Sequence, residues 1–188
     1  MATLFVDKID PQSGTTLNLG SSGDTLQATA GTTNNLGISE ADQWRLTADI
    51  TSNVDPISSN LERVDEASFA KIGSGMSVSS GIWSFPVTGL YQVFFTMSSL
   101  QTASDTITGA TYVSSDSGSN YNVVATTLNG DDGSGRVQQS NSIVFVNVTN
   151  TSTYRIKFAA ESISSGAIRG NSDQNETCFT FIRLGDSQ

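Results

Sequence analysis

The 188-residue sequence predicts an all-β fold, a β-sandwich or barrel preceded by a short extended β-arm. Three observations lead there. Short apolar and aromatic runs with a period of two recur from Gln43 onward. Gly, Pro and Asn punctuate them at near-regular intervals. No stretch sustains a helical apolar period; only 60–70, with Leu61, Val64 and Phe69, allows a helical bend. The length suits one large β domain with an appendage.

Residues 1–42 read as the arm and 43–188 as the head. Leu4, Val6 and Ile9, then Leu17, Leu19 and Leu26, are spaced for short strands in text otherwise rich in Gly, Thr, Ser and Asn. A near-repeat, Gly14-Thr-Thr-Leu-Asn-Leu-Gly20 and Gly31-Thr-Thr-Asn-Asn-Leu-Gly37, adds Gly corners to this pattern. Such an arm buries little against itself, so it is expected to bind a copy of itself or another protein.

Strands are expected near 43–50, 68–72, 76–79, 81–86, 90–98, 107–114, 121–128, 136–148, 153–161 and 177–184. Pro86 fixes φ and lacks an N–H donor, which makes Phe85-Pro86-Val87-Thr88-Gly89 a corner between two strands. Asn129-Gly130, after YNVVATTL, predicts a type I′ hairpin. Tyr154, Ile156 and Phe158 alternate with Arg155 and Lys157, the mark of a strand with one wet face.

Composition excludes several functions. Nine Lys and Arg face 18 Asp and Glu, a formal net charge of -9, so neither nucleic acid nor an anionic membrane is an expected partner. The longest apolar runs fall far short of the ~20 residues that span a bilayer. Asp7, Lys8 and Asp10 stand where a secretion signal needs an apolar run, so no such signal is expected. The sequence has no His, which removes the commonest general base and zinc ligand. Cys178 reads as a small buried hydrophobe. Glu62, Asp65, Glu66 and Glu161 show no pattern that would converge them in a groove. No enzyme activity and no cofactor are expected. Asp131 and Asp132 offer oxygen donors for calcium, but without the alternation and downstream Glu of an EF-hand, so they read as a solvated hairpin tip.

Three motifs add a resemblance. The order Gln43-Trp44-Arg45-Leu46, then Phe85-Pro86-Val87-Thr88-Gly89-Leu90-Tyr91, then Cys178-Phe179-Thr180-Phe181-Ile182-Arg183-Leu184-Gly185 resembles the complement C1q and tumour-necrosis-factor (TNF) jelly rolls over residues 43–186. The resemblance implies a jelly-roll β-sandwich whose heads pack as homotrimers about a threefold axis. It places Phe179 and Phe181 of the last strand at that axis. Trimer burial would also account for Phe94, Phe95, Phe145, Phe158, Phe179 and Phe181 lying on both faces of their strands.

The opening VDKIDPQSGTTLNLG resembles small structural proteins of tailed bacteriophages, marine ones especially. That implies a virion protein, a capsid decoration, fibre or tail appendage. Residues 1–40 would anchor it to a capsid or tail protein through Leu4, Val6, Ile9, Leu17 and Leu19. The alternative is an adhesin at a fibre tip, reading a host surface glycan or receptor through loops 115–120, 129–135 and 162–175.

Overall fold

The period-two pattern folds as eleven antiparallel strands, with no helix, in a computed structural model that describes residues 37–133 and 135–188. They are β1 (Ala41–Leu46), β2 (Leu61–Arg63), β3 (Ser77–Ser79), β4 (Ile82–Ser84), β5 (Gly89–Leu100), β6 (Ser104–Ser114), β7 (Asn122–Asp132), β8 (Val137–Val148), β9 (Arg155–Glu161), β10 (Ala167–Ile168) and β11 (Cys178–Gly185). One sheet runs β10-β5-β11-β1-β2, with β8 on the other side of β5; the second runs β3-β4-β9-β6-β7. β5 and β8 pair along their whole length, Gly89 opposite Val148 and Leu100 opposite Val137.

The core lies between the sheets. From the first come Tyr91, Val93, Phe95, Met97, Val146, Val148, Phe179 and Phe181; from the second, Trp83, Ile107, Ile156, Phe158 and Ala160. Trp83 is the hub, 5.0 Å from the Trp44 ring, edge on, and 5.2 Å from Phe181. Phe179 lies 4.6 Å from Phe158 and 5.1 Å from Phe95. Offset and edge-on packing of this kind adds to the burial of each ring. Gly109 lets the sheets approach: a Cβ there would stand 2.6 Å from Phe95 Cε1 and 3.0 Å from Met97 Sδ.

The Pro86 corner closes on itself. Tyr91 donates its hydroxyl to the Val87 carbonyl at 2.9 Å, and Arg183 Nε donates to Thr88 O at 2.8 Å. Burial pushes the Tyr91 phenol up to about 12. Arg183 also donates from its backbone to Glu40 O and from Nη1 to Ser39 Oγ, so it joins the corner, the start of the head and the last strand.

Three sequence expectations change. The strand expected at 68–72 does not form; of that stretch only Ile72 pairs, in a single bridge to Ala41. The 60–70 segment is not helical: it supplies β2, and Glu62 and Asp65 receive the buried Arg45 guanidinium at 2.6 and 2.5 Å. Burial opposes the charge on Arg45, but the hydrogen bond and charge of Glu62, with Asp65 and Glu66, hold its pKa above the ordinary value. Arg63 reaches back to the buried Asp42, whose carboxylate also accepts from Trp44 Nε1 and Met76 N. These tertiary ion pairs draw the segment out along β1. Asn129 and Gly130, expected at a turn, lie inside β7, opposite Ile107 and Thr106. The type I′ signature of two successive positive φ angles occurs instead at Ser80 (49°) and Gly81 (77°), between β3 and β4.

Candidate functional site

Alternation sets the surface as well as the core. β7 ends the second sheet and β8 ends the first on the same margin of the sandwich, where the two pack on each other. On β8, Val144, Val146 and Val148 turn inward while Val137, Ile143 and Phe145 turn out, Phe145 being 60 % and Ile143 50 % exposed. On β7, Val124 and Leu128 are exposed. Register places Phe94 opposite Ile143, and Gln92 between Phe145 and Ile182, so the apolar strip continues onto half-buried Phe94 and Ile182.

Neither 121–130 nor 137–148 contains a charged residue or a proline. Sheet edges are ordinarily guarded against pairing by charge, Pro or a bulge. Apart from a bulge at Val124 and the acids Asp131 and Asp132 at the far end of β7, the two long edge strands carry an apolar outer row with neither charge nor Pro, a surface suited to being covered. Their uncharged text was legible in the sequence, but which face of each strand turns outward was not.

Phe179 and Phe181, expected at a threefold axis, are 0 % and 1 % exposed within a single copy. Their rings fill the sandwich against Trp83, Phe95 and Phe158, so they present no surface to a neighbour. Of the six phenylalanines read as serving both faces, Phe95, Phe158, Phe179 and Phe181 point into the core, Phe94 is half-buried and Phe145 stands free. Leu4, Val6, Ile9, Leu17 and Leu19 lie outside the described residues.

The hairpin tip uses its acids locally. Asp131 accepts from Gly133 N at 2.8 Å and Arg136 N at 3.0 Å, which closes the turn between β7 and β8. Asp131 and Asp132 line an open groove with Ser104, Asp105, Thr106 and Gly130. Hydrogen bonds from Ser164, with those from Thr106 and Ser165, hold the Asp105 carboxyl below its usual range against a smaller opposing effect of burial. Among the described residues no group of three His, Cys, Asp or Glu side chains is placed to hold a metal ion. Cys178 is buried, and burial pushes its thiol up, away from the reactive thiolate.

Loop 115–120 is ordered by its own side chains. Asp116 accepts from Asn120 Nδ2, Ser114 Oγ and Asn120 N at 2.7, 2.7 and 2.9 Å, which lowers its carboxyl to about 2. Beside it, Lys157 lies 4.7 Å from the Tyr112 ring and 4.8 Å from the Tyr121 ring, and pairs with Asp55 at 2.7 Å.

Two antiparallel sheets face to face, with the last strand buried between the first strand and the central β5, define a jelly roll of the C1q/TNF type. Solved structures share this fold. The Eiger TNF structure from S. frugiperda superposes with a TM-score of 0.61 at 13 % identity, over 79 % of this chain and 94 % of that one. Murine APRIL at pH 5.0 superposes with a TM-score of 0.58 at 10 % identity, over 77 % of this chain and 98 % of that one. At such identities the likeness concerns the fold alone. No protein-family model matches the chain, and no curated protein matches it in sequence.

Proposed function

We propose that this chain is a non-enzymatic virion structural protein of a tailed bacteriophage, a capsid decoration, fibre or tail appendage. Its jelly-roll head works as a homotrimer, and residues 1–40 anchor it to a capsid or tail protein. The observation that carries the self-association is the β7–β8 margin, uncharged over 121–130 and 137–148, with Phe145 60 % exposed on a TNF-type sandwich. Burying that strip against a second copy removes apolar surface from water and covers two open edges at once. A closed ring of three copies satisfies every copy equally. The virion setting rests on the likeness of the N-terminal text to phage structural proteins. Three arms on one trimer would attach far more tightly than one, since the second and third attachments are intramolecular.

The test compares the full chain with one lacking residues 1–40. The reading expects both to be trimers and only the full chain to join its particle. Equal incorporation of the two would remove the anchoring claim, and a monomeric full chain would remove the trimer.

The order of loop 115–120 favours a second role on the same scaffold, recognition of a host surface glycan or receptor, because a loop fixed by its own carboxylate is already shaped for contact. Binding to whole cells that survives replacement of 115–120 would remove that role.

A further inference from the structure

β7 and β8 follow one another in the chain but belong to different sheets, and no backbone ladder joins them. The interior beneath them is not apolar. Inward from the aromatic core, the facing positions become Ser99 and Gln101 beyond β5's Met97, Thr127 and Asn129 on β7, and Gln138, Ser140 and Ser142 on β8. Asn129 is at the centre, 3 % exposed. Its Nδ2 donates to Ser99 Oγ at 2.9 Å, Met97 O at 3.2 Å and Gln138 O at 3.3 Å. Its backbone carbonyl accepts from the fully buried Gln101 Nε2 at 2.7 Å, and Ser99 Oγ donates to Gln101 Oε1. Two residues back, Thr127 Oγ1 donates to Ser140 Oγ at 2.6 Å. Side-chain bonds thus tie β7 to both β5 and β8 where backbone bonds do not.

An apolar filling would hold the sheets together yet permit sliding. A buried amide cannot slide without leaving donors and acceptors unpaired, so it fixes one register. The residues it fixes are those next to the exposed strip: Leu128 adjoins Asn129 on the opposite face of β7, and Val137 adjoins Gln138 on β8.

We propose that Asn129 is a positioning residue for self-association. Its amide clamps β8 to β7 across the open margin, so that Val124, Leu128, Val137, Ile143 and Phe145 stand as one fixed surface for a second copy. The proposal rests on the homotrimer reading above.

The test uses the full chain carrying Asn129→Leu, which keeps the branched outline of the side chain but makes no hydrogen bonds. Ile156→Val is the control, a fully buried core change on β9 opposite Trp83 and Val113, chosen to lower stability in its own right. Hydrogen exchange and native mass across a dilution series are both read. Asn129→Leu is expected to speed amide exchange about tenfold in 122–132 and 137–148 while leaving the β5–β11 pair as in wild type, and to dissociate at about tenfold higher concentration. Ile156→Val is expected to keep its copy number at the concentrations where Asn129→Leu has lost it. If Asn129→Leu does not fold, Thr127→Val, which removes only the bond to Ser140, is expected to shift both readouts in the same direction by less. Wild-type copy number in the folded variant, or equal loss in the control, overturns the clamp while the trimer stands. A wild-type chain that is monomeric overturns the trimer reading and this proposal with it.

Discussion

Replacing Phe145 by alanine takes away the largest exposed side chain of the proposed contact while leaving the core alone, because Phe145 points outward and Val144 and Val146 hold β8 from within. With 60 % of the residue exposed in a single copy, about 120 Å² of a side chain of about 200 Å² remains to be buried against a neighbour. At about 25 cal/mol per Å², and with alanine keeping roughly a third of that area, each contact loses about 2 kcal/mol, or about thirtyfold. A closed ring of three copies has three such contacts, so if the losses add the trimer dissociation constant, in units of concentration squared, rises by about four orders of magnitude and the midpoint concentration of assembly by about two. Sedimentation or light scattering over a dilution series reads this shift. Val87→Ala is the control: Val87 is also an exposed apolar side chain, but it belongs to the Pro86 corner and to neither β7 nor β8. The melting temperature of dilute Phe145→Ala should match that of dilute wild type. Equal copy number for wild type and Phe145→Ala at every concentration would refute the assignment of this margin to self-association.

Other expectations concern the sandwich itself. Gly109→Ala forces a Cβ to 2.6 Å from Phe95 and 2.9 Å from Thr127 Cγ2, and overpacking of this kind should cost about 1–3 kcal/mol in thermal or denaturant unfolding; an unchanged midpoint would contradict the close approach of the sheets. Ser142 is buried and its hydroxyl has no hydrogen-bond partner among the described residues, so Ser142→Ala should raise stability by up to about 1 kcal/mol, and a loss would point to a partner the geometry does not show. The Tyr112 phenol, donating to Glu161 at 2.5 Å, is pushed up to about 12, as Tyr91 is by burial. Both pKa values are raised on folding, so their stabilisation is complete below the ordinary tyrosine pKa of about 10 and is lost as pH rises through about 12. Ultraviolet titration of the folded chain should show Tyr91 and Tyr112 ionising late, and their ionisation near pH 10 would contradict it.

Much of the fold was legible because period-two alternation and turn residues are local signals. The Pro86 corner, the long strands β5 and β8 and the alternation of β9 could be read directly, but the face of β9 expected to be wet is largely covered, with Ala159 0 % exposed and Lys157 over the Tyr112 and Tyr121 rings. The helical bend at 60–70 failed because Arg45 lies outside that segment: its ion pairs with Glu62 and Asp65 act across 17 and 20 residues of sequence, and no local propensity reports them. Asn129-Gly130 was misread for a related reason. Its amide is held by Ser99 and Met97 of β5, about 30 residues away in sequence, so the pair extends the strand and leaves the turn to the tip closed by Asp131. For Phe179 and Phe181, parity shows that both point to one side of β11, but the side that meets the second sheet depends on where Trp83 and Phe158 lie. The exposed strip was half legible: the absence of charge in 121–130 and 137–148 could be counted, but its place on two neighbouring edges needed the topology.

The most direct test of the account is the native mass of the full chain by light scattering. The account predicts three times 19.8 kDa at micromolar concentration, with dissociation on introducing Phe145→Ala. A mass of 19.8 kDa that persists at high concentration would contradict it, and would leave the β7–β8 margin as an uncovered edge.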